Sequence, residues 1–487
     1  MAARRDELSA YTFAKKRTLA AFLRPSPAGT DEGAPAPLRA VVPGLVTAAL
    51  LLAGFGAWGM LAPKAPKGWD TPGTKVVVGK QSTTRYVVLT TGRGANRRTL
   101  LHPVLNLASA RLLLDPRAYD VVHVDDEVLD AGRPPRGPIL GIPYAPDRLP
   151  TPDEAGRAKR WAVCAQPGGG GARGTVQKAA FVLAERDFAR TEGKDRRLAP
   201  GEVLYVKGQK GALRYLVDDT GTKYLVRGAP GDADGGAAGG ADPLATVLVG
   251  VNREPQPVTD DWLATLRTGS PVDFPELPGR IGAPAGVGGG LSPTEDRVGM
   301  VLRSGTGAGP QQYVVLPGRV RPVSDFTAWL LINSPQAQPL DMDGRPTEAG
   351  VADFPADPTA FGAELRWPTS RVRQVNAVDG EGARDTVCSV LRGGKTLSVW
   401  AGPDYPAEIS PAGPATYVTP GTGVLADSGG SLFLVTDTGL RYAVRRNEQI
   451  RLGYEEVTPV RVPPAWSDFL SQGPRLDTDA ARREQGS

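Results

Sequence analysis

From Val41 to Ala62 the chain reads VVPGLVTAALLLAGFGAWGMLA, with Arg39 just before it, Lys64 just after it and no charged residue between. A bilayer core about 30 Å thick needs about 20 apolar helical residues, so this stretch is long enough to cross once. Pro43 and the glycines inside it fit a spanning helix, where both residue types are commoner than in soluble helices. The flank before it carries Arg4, Arg5, Lys15, Lys16, Arg17, Arg24 and Arg39. Basic residues beside a span are retained in the cytoplasm, which predicts a cytoplasmic N-terminus and an outward-facing bulk from Lys64 to Ser487. A cleaved signal peptide fits less well, because such peptides begin within about the first 15–30 residues and have apolar regions of about 7–15. The expectation is an uncleaved single-pass anchor in the cell membrane.

Within residues 1–40, Leu8, Tyr11, Leu19, Phe22 and Leu23 recur at helical intervals around Lys15, Lys16 and Arg17, followed by a Pro/Gly-rich stretch, Ser26 to Pro37. An amphipathic cytoplasmic helix and a linker are expected there, able to lie on lipid or grip a partner. After the span at 41–62, a spacer covers 63–74. The 61 glycines and 46 prolines of the whole chain imply many turns and short elements rather than long helices. Aromatic residues make up 6% of the sequence, too little for a base-stacking surface, and a net charge of +5 is mild for 487 residues. No nucleic acid is expected as a partner.

The outward part contains an internal repeat. A basic or polar residue, a Tyr and an aliphatic or small residue are followed by Pro-Val and then a helical stretch. The four copies carry Arg85-Tyr86-Val87 with Pro103-Val104, Lys223-Tyr224-Leu225 with Pro257-Val258, Gln312-Tyr313-Val314 with Pro322-Val323, and Arg441-Tyr442-Ala443 with Pro459-Val460. Each reads as a strand and a helix, with the Pro holding the preceding residue extended and Ser324 or Thr259 supplying N-cap chemistry. The resulting division is repeat 1 at 75–120, repeat 2 at 201–270, a linker at 271–295, repeat 3 at 296–336 and repeat 4 at 416–474. A central domain would be split between 121–200, with Cys164, and 337–415, with Cys388, and the charged tail 475–487 would be disordered. The expected fold class is α+β: one transmembrane helix and an elongated extracytoplasmic region of small α+β units around a disulfide-linked, β-rich centre. Cys164 and Cys388 are the only cysteines. Their even number in an oxidising compartment predicts a disulfide closing a long loop, and two cysteines without a histidine cluster do not make a structural zinc site.

No catalytic, metal or cofactor set emerges. Ser389 to Thr396 (SVLRGGKT) comes nearest to a nucleotide-binding loop, but Ser389 stands where a P-loop needs Gly, and the strand-like LSVW follows where a helix should open. Lys395 and Thr396 are therefore a weak nucleotide-site candidate, and Gly393-Gly394 reads as a hairpin turn. Gly168 to Gly171 reads as a loop. His102, Asp125-Asp126-Glu127 and Asp218-Asp219 read as structural or solvated groups.

Several pieces in this order, SAYTFAKKRTLAAFL before the span, then LHPVLNLASARLLL, GIPYAPDRLP, WAVC, TVCSV and the fourfold repeat, resemble EccB, the membrane component of the type VII (ESX) secretion systems of actinobacteria. The resemblance covers nearly the whole chain. It implies a cytosolic helix, one transmembrane helix and an elongated extracytoplasmic region with a disulfide-bonded core flanked by repeats, in which Cys164 and Cys388 sit in the matching local motifs. It also implies membership of an inner-membrane complex with the EccC ATPase, EccD, EccE and the mycosin protease, exporting WXG100-type helical hairpins. The expected function is a structural, assembly-forming subunit that helps shape the export path, a homo-oligomer within the complex and in contact with membrane lipid, and not an enzyme. A cell-wall-binding anchor, whose linked repeats would gain avidity, is the alternative, with an ATPase the weaker third.

Overall fold

The computed structural model describes residues 4–23, 38–61, 65–92, 97–168, 175–193, 195–210, 213–227, 242–307, 309–376, 384–409 and 415–486, with no side chains given for 4, 5, 38–40, 56–61 and 351. The linker Ser26 to Pro37 and the Gly-rich loop beyond Gly168 lie outside the described residues. The chain divides into two compact units, residues 1–69 with 79–82 and 123–131, and residues 70–78, 83–122 and 132–487.

In the first unit Arg4–Leu23 and Leu38–Leu61 are helices. Arg4–Leu23 departs from the amphipathic expectation. Leu8, Lys15 and Leu19 follow one another at i, i+7 and i+11 and so share one face, which places a charge within the apolar stripe. The 24 residues of Leu38–Leu61 would span roughly 36 Å at 1.5 Å per residue. Val41, Leu45, Leu52 and Phe55 along it are exposed. Among the described residues no helix is long and apolar enough to cross a membrane, the side chains given for this helix ending at Phe55. Asp126 works structurally here, accepting the Ser82 N–H at 2.6 Å and the Gln81 N–H at 3.1 Å, while Lys80 pairs with Asp125 at 2.9 Å.

The second unit is built from one module used four times around a five-stranded sheet. Each module is a three-stranded antiparallel meander, then a helix, then a short strand returning beside the first. In the second module the meander is Glu202–Lys207, Arg214–Asp218 and Thr222–Leu225, the helix Pro243–Val249 and the returning strand Gln256–Pro257, parallel to the first. A second short helix, Asp260–Ala264, then leads to Arg267–Thr268, parallel to the third strand. The fourth module repeats the plan with Gly423–Ser428, Ser431–Thr436, Leu440–Ala443, the helix Arg446–Arg451, Val460–Arg461, the helix Pro464–Ser467 and Ser471–Gln472. The third has Val301–Thr306, Gly309–Leu316, Arg319–Val323, the helix Asp325–Ile332 and Thr347–Glu348. The first has Lys75–Gly79, Arg85–Thr91, Arg98–Pro103, the helix Leu107–Leu113 and Asp120–Val124.

The Tyr and Pro-Val signature read from the sequence marks two different places in this module. In the first and third modules the Tyr lies on the second strand and faces the Pro of the third, Tyr86 opposite Pro103 and Tyr313 opposite Pro322. In the second and fourth modules Tyr224 and Tyr442 lie on the third strand, and the Pro-Val pairs belong to the returning strand before the second helix. Both places are junctions where extended backbone gives onto a helix, so both favour Pro. Ser324 caps Asp325–Ile332 and Thr259 caps Asp260–Ala264.

Three expected boundaries are corrected. Asp120–Val124 belongs to the first module and Thr347–Glu348 to the third, although the expected division left all or most of them in the central domain. Strands this short, or closed by a two-residue pairing, leave no period to read. The tail is ordered: Asp477 caps the helix Thr478–Ala481, Ala481 is buried, and Glu484–Gln485 pairs antiparallel with Ile139–Leu140. A sheet edge satisfies the backbone of this charged segment, which composition alone does not reveal.

Candidate functional site

The central sheet has the order Thr396–Gly402, Thr386–Arg392, Arg160–Pro167, Val176–Leu183 and Thr416–Val418. The first four strands pair antiparallel and the last is parallel to its neighbour. Cys164 and Cys388 are direct cross-strand partners on the two middle strands and form a disulfide, S–S 2.02 Å, closing a loop of 224 residues. In the chain-entropy account a loop of this length contributes about 4–5 kcal/mol before strain.

Alternation along these strands sends their side chains to two cores. Cys164, Phe181, Leu183, Cys388, Val390 and Trp400 share one face. Trp161, Val163, Val182, Val387, Leu391 and Val399 share the other, and the second and fourth modules dock there. Each inserts a tryptophan from the same place in its plan, the second short helix. Trp262 is fully buried and donates Nε1–H to the Val163 carbonyl at 3.0 Å, and Trp466 is 2% exposed. Buried Thr265 and Ser389 hydroxyls meet at 2.7 Å beside Trp262. The Pro463-Pro464 pair before Trp466 is accommodated because Pro464 takes the first helical position, where no N–H is needed.

The meander strands of the second and fourth modules are buried on both faces. Leu204 and Val206 face the central sheet while Val203 and Tyr205 face the third module's Phe326 and Leu330. Val424 and Ala426 face the central sheet while Leu425 joins Val76, Val87 and Leu112 of the first module. The modules are therefore connected in the order first, fourth, central sheet, second, third.

Charged groups at this centre are structural in their bonding. The Lys159 ammonium is buried 2.6 Å from Glu154 Oε1, and burial lowers its proton affinity against the opposing pull of Glu154. Burial works against ionised Asp187, yet donation from Arg190 (3.0 Å), Thr419 (2.8 Å) and Tyr417 (3.1 Å) outweighs it and holds the carboxyl below its ordinary value. His102 is buried, with Nδ1 3.0 Å from the Pro138 carbonyl. Asp218 accepts Tyr224 O–H at 2.9 Å and the Thr222 N–H at 2.9 Å.

Lys395 and Thr396 lie in the hairpin between Thr386–Arg392 and Thr396–Gly402. Gly393 (φ 55°) and Gly394 (φ 70°) form its left-handed two-residue turn, closed by Lys395 N–H to the Arg392 carbonyl at 3.1 Å. A Cβ on Gly394 would also sit 2.9 Å from the Arg461 carbonyl. Thr396 opens a strand, so the segment lacks the strand-to-helix turn that cradles phosphate. Among the described residues no three His, Cys, Asp or Glu side chains gather as metal ligands. The reading of the sequence missed the roles of Trp262 and Trp466. Their signal was a Trp soon after the second and fourth Pro-Val pairs, shared with Trp329 after the third, in a chain with eight tryptophans.

A family model described as "Type VII secretion system ESX-1, transport TM domain B" matches residues 1–487. The ESX-1 secretion system ATPase EccB1 of Mycolicibacterium smegmatis (strain MKD8) is 26% identical over 497 residues, covering 98% of this chain and 94% of that protein. The ESX-3 secretion system ATPase EccB3 of Mycobacterium tuberculosis (strain H37Rv) is 28% identical over 418 residues, covering 77% and 72%. Among solved structures, a chain of an intact ESX-5 inner membrane complex superposes with a TM-score of 0.59 at 21% identity, covering 100% of this chain and 96% of that one. A chain of the EccB3 dimer from the ESX-3 core complex gives 0.56 at 23% identity, covering 84% and 99%. These structures share the mixed α/β fold, and the family match spans every residue from the N-terminal helices to the disulfide-bridged sheet and its four modules: the chain belongs to the EccB family of type VII secretion systems.

Proposed function

We propose that this chain is a structural membrane subunit of a type VII (ESX) secretion machine. The helix Leu38–Leu61 anchors it once in the inner membrane with the N-terminus in the cytoplasm, and the module-bearing region stands outside. There it assembles with copies of itself and with the other membrane subunits, EccC, EccD, EccE and the mycosin protease, around the export path. The observation that carries this reading is the end-to-end family match of a chain whose outward part consists of four copies of one docking module on a bridged sheet. The exposed apolar side chains at 41–55 support the anchor, because a helix apolar on all sides belongs in lipid or a large core. Relatives carry the name ATPase. The hairpin at Lys395 and Thr396 supports assembly as the role here, with the energy supplied by another chain.

Extraction in mild detergent, mass determination and identification of co-purifying chains test this. A large assembly containing an FtsK/SpoIIIE-type ATPase and polytopic subunits is expected, and a lone monomer or dimer would overturn it. ATP hydrolysis by the purified chain that disappears in Lys395→Ala, with folding intact, would contradict the non-enzymatic part.

A further inference from the structure

Two arginines on the disulfide face of the central sheet are short of acceptors. Arg160 opens one middle strand and Arg392 closes the other, each one position beyond the paired Trp161 and Leu391. Arg160 is 6% exposed. It donates Nη1–H to the Phe188 carbonyl at 2.6 Å and to Thr191 Oγ1 at 3.0 Å, and Nη2–H to Glu192 Oε1 at 2.8 Å, with the guanidinium 4.1 Å from the Phe188 ring centre. Among the described residues the Arg392 guanidinium has only the same Glu192 oxygen as an ionic partner, 3.8 Å from its Nη1. Among the described residues, Arg160 Nε and Arg392 Nε and Nη2 are buried and meet no hydrogen-bond acceptor. Burial disfavours the charge on Arg392, the Arg160 and Arg197 charges add to that, and Glu192 opposes. Asp219 also lies within electrostatic reach of Arg197.

An unmatched N–H on a buried cation is costly, more so than on a neutral group. One carboxylate already engaged by Arg160 cannot supply three further N–H groups on two guanidiniums, whereas a phosphate group offers several oxygens to two forked donors. Glu192 follows the short helix Glu185–Thr191 and is half exposed, so it can turn out to solvent without disturbing the core. We propose that Arg160 and Arg392 form a phosphate-binding site in which the Glu192 carboxylate holds the place of the anion until it swings aside. The phosphate could be inorganic or the monoester of a lipid headgroup, and neither depends on the hairpin at Lys395.

The test is calorimetric titration of the full chain in detergent at constant ionic strength, with inorganic phosphate and, separately, with a short-chain phosphatidic acid below its micellar concentration. Saturable binding is expected, tightened about threefold or more in Glu192→Gln and weakened about tenfold or more in Arg392→Gln. Binding of both probes would assign the site to phosphate in general, and binding of phosphatidic acid alone would assign it to a headgroup; either supports the proposal. No saturable binding of either probe by the wild type and by Glu192→Gln would overturn it. So would binding unchanged in a folded Arg392→Gln. Should Arg392→Gln fail to fold, Glu192→Gln, altered at a half-exposed side chain, decides alone, and the absence of tighter binding there would overturn the proposal.

Discussion

The first and third modules share a plan but are attached to their inner neighbours in different ways. The third has its own core, in which Val301, Leu302, Val314, Val315, Val320 and Leu331 pack together, and it reaches the second module with Phe326 and Leu330 from one helix. Trp329 adds an Nε1–H bond to the Val247 carbonyl at 3.2 Å. The first module has no such division: Val76, Val87, Leu112 and Leu114 share one core with Leu425, Leu434, Tyr442 and Tyr454 of the fourth. Its seam is closed by an exchange of arginines between helix ends. Arg111 donates to the Leu452 carbonyl at 2.6 Å, and Arg451 donates to the Leu114 carbonyl at 3.2 Å and the Leu112 carbonyl at 3.5 Å. Each helix thus receives a cation at its negative C-terminal end, where free carbonyls need donors. The C-terminal tail adds Gln485 to the Gly141 carbonyl at 3.0 Å. A module with a private core can part from its neighbour and stay folded, whereas one sharing a core cannot.

The largest effect should come from the aromatic seam. Phe326→Ala removes a fully buried ring and should cost about 3–5 kcal/mol locally. Amide exchange should rise in Pro243–Val249 and Asp325–Ile332 while Val301–Thr306 and Gly309–Leu316 stay protected. Loss of protection throughout the third module would remove the distinction. Replacing both Cys164 and Cys388 with Ala should lower global stability by about 2–5 kcal/mol, read from thermal unfolding with and without reductant. Because the bridge lies on the face away from both inner modules, the relative protection of the two outer modules should not change.

Smaller losses are expected at the arginine seam. Arg451→Ala leaves buried carbonyls unpaired and should cost about 1–3 kcal/mol, opening the first and fourth modules together. Combined with Arg111→Ala it should lose less than the sum of the two, since both substitutions release the same seam. The smallest effect is a pH control. Asp187 has a folded pKa below its unfolded one, so its contribution is present above the ordinary carboxylate range and is lost as pH falls through the folded value. Asp187→Asn should flatten that acid limb of the stability curve while leaving stability near pH 7 to 8 dependent only on the bonds it loses. An unchanged acid limb would contradict the assignment.

What could be read in advance followed physical scale. Twenty-two uncharged residues, two cysteines and a fourfold Tyr and Pro-Val pattern are long or rare enough to stand out, and they led to the helix, the bridge and the repeat. The register of the repeat was not legible. Pro103 and Pro257 answer the same local demand at different points of the module, and only pairing partners such as Tyr86 and Pro103 distinguish them. Long-range partners were hidden as well. Nothing near Arg111 signals Leu452, and nothing near Ile139 signals Glu484. The inner position of the second and fourth modules left no trace either: VLYV at 203–206 is apolar at every position, but so is YVVL at 313–316 in the third module, where consecutive residues are equally buried.

Native-state hydrogen exchange of the full chain, read by mass spectrometry across increasing denaturant, tests the central claim most directly. Strands of the first and fourth modules, Arg85–Thr91 and Ser431–Thr436, should open with one common free energy, while Gly309–Leu316 of the third opens with its own. Separate opening of the first and fourth modules, or merging of the third with the second, would contradict the account.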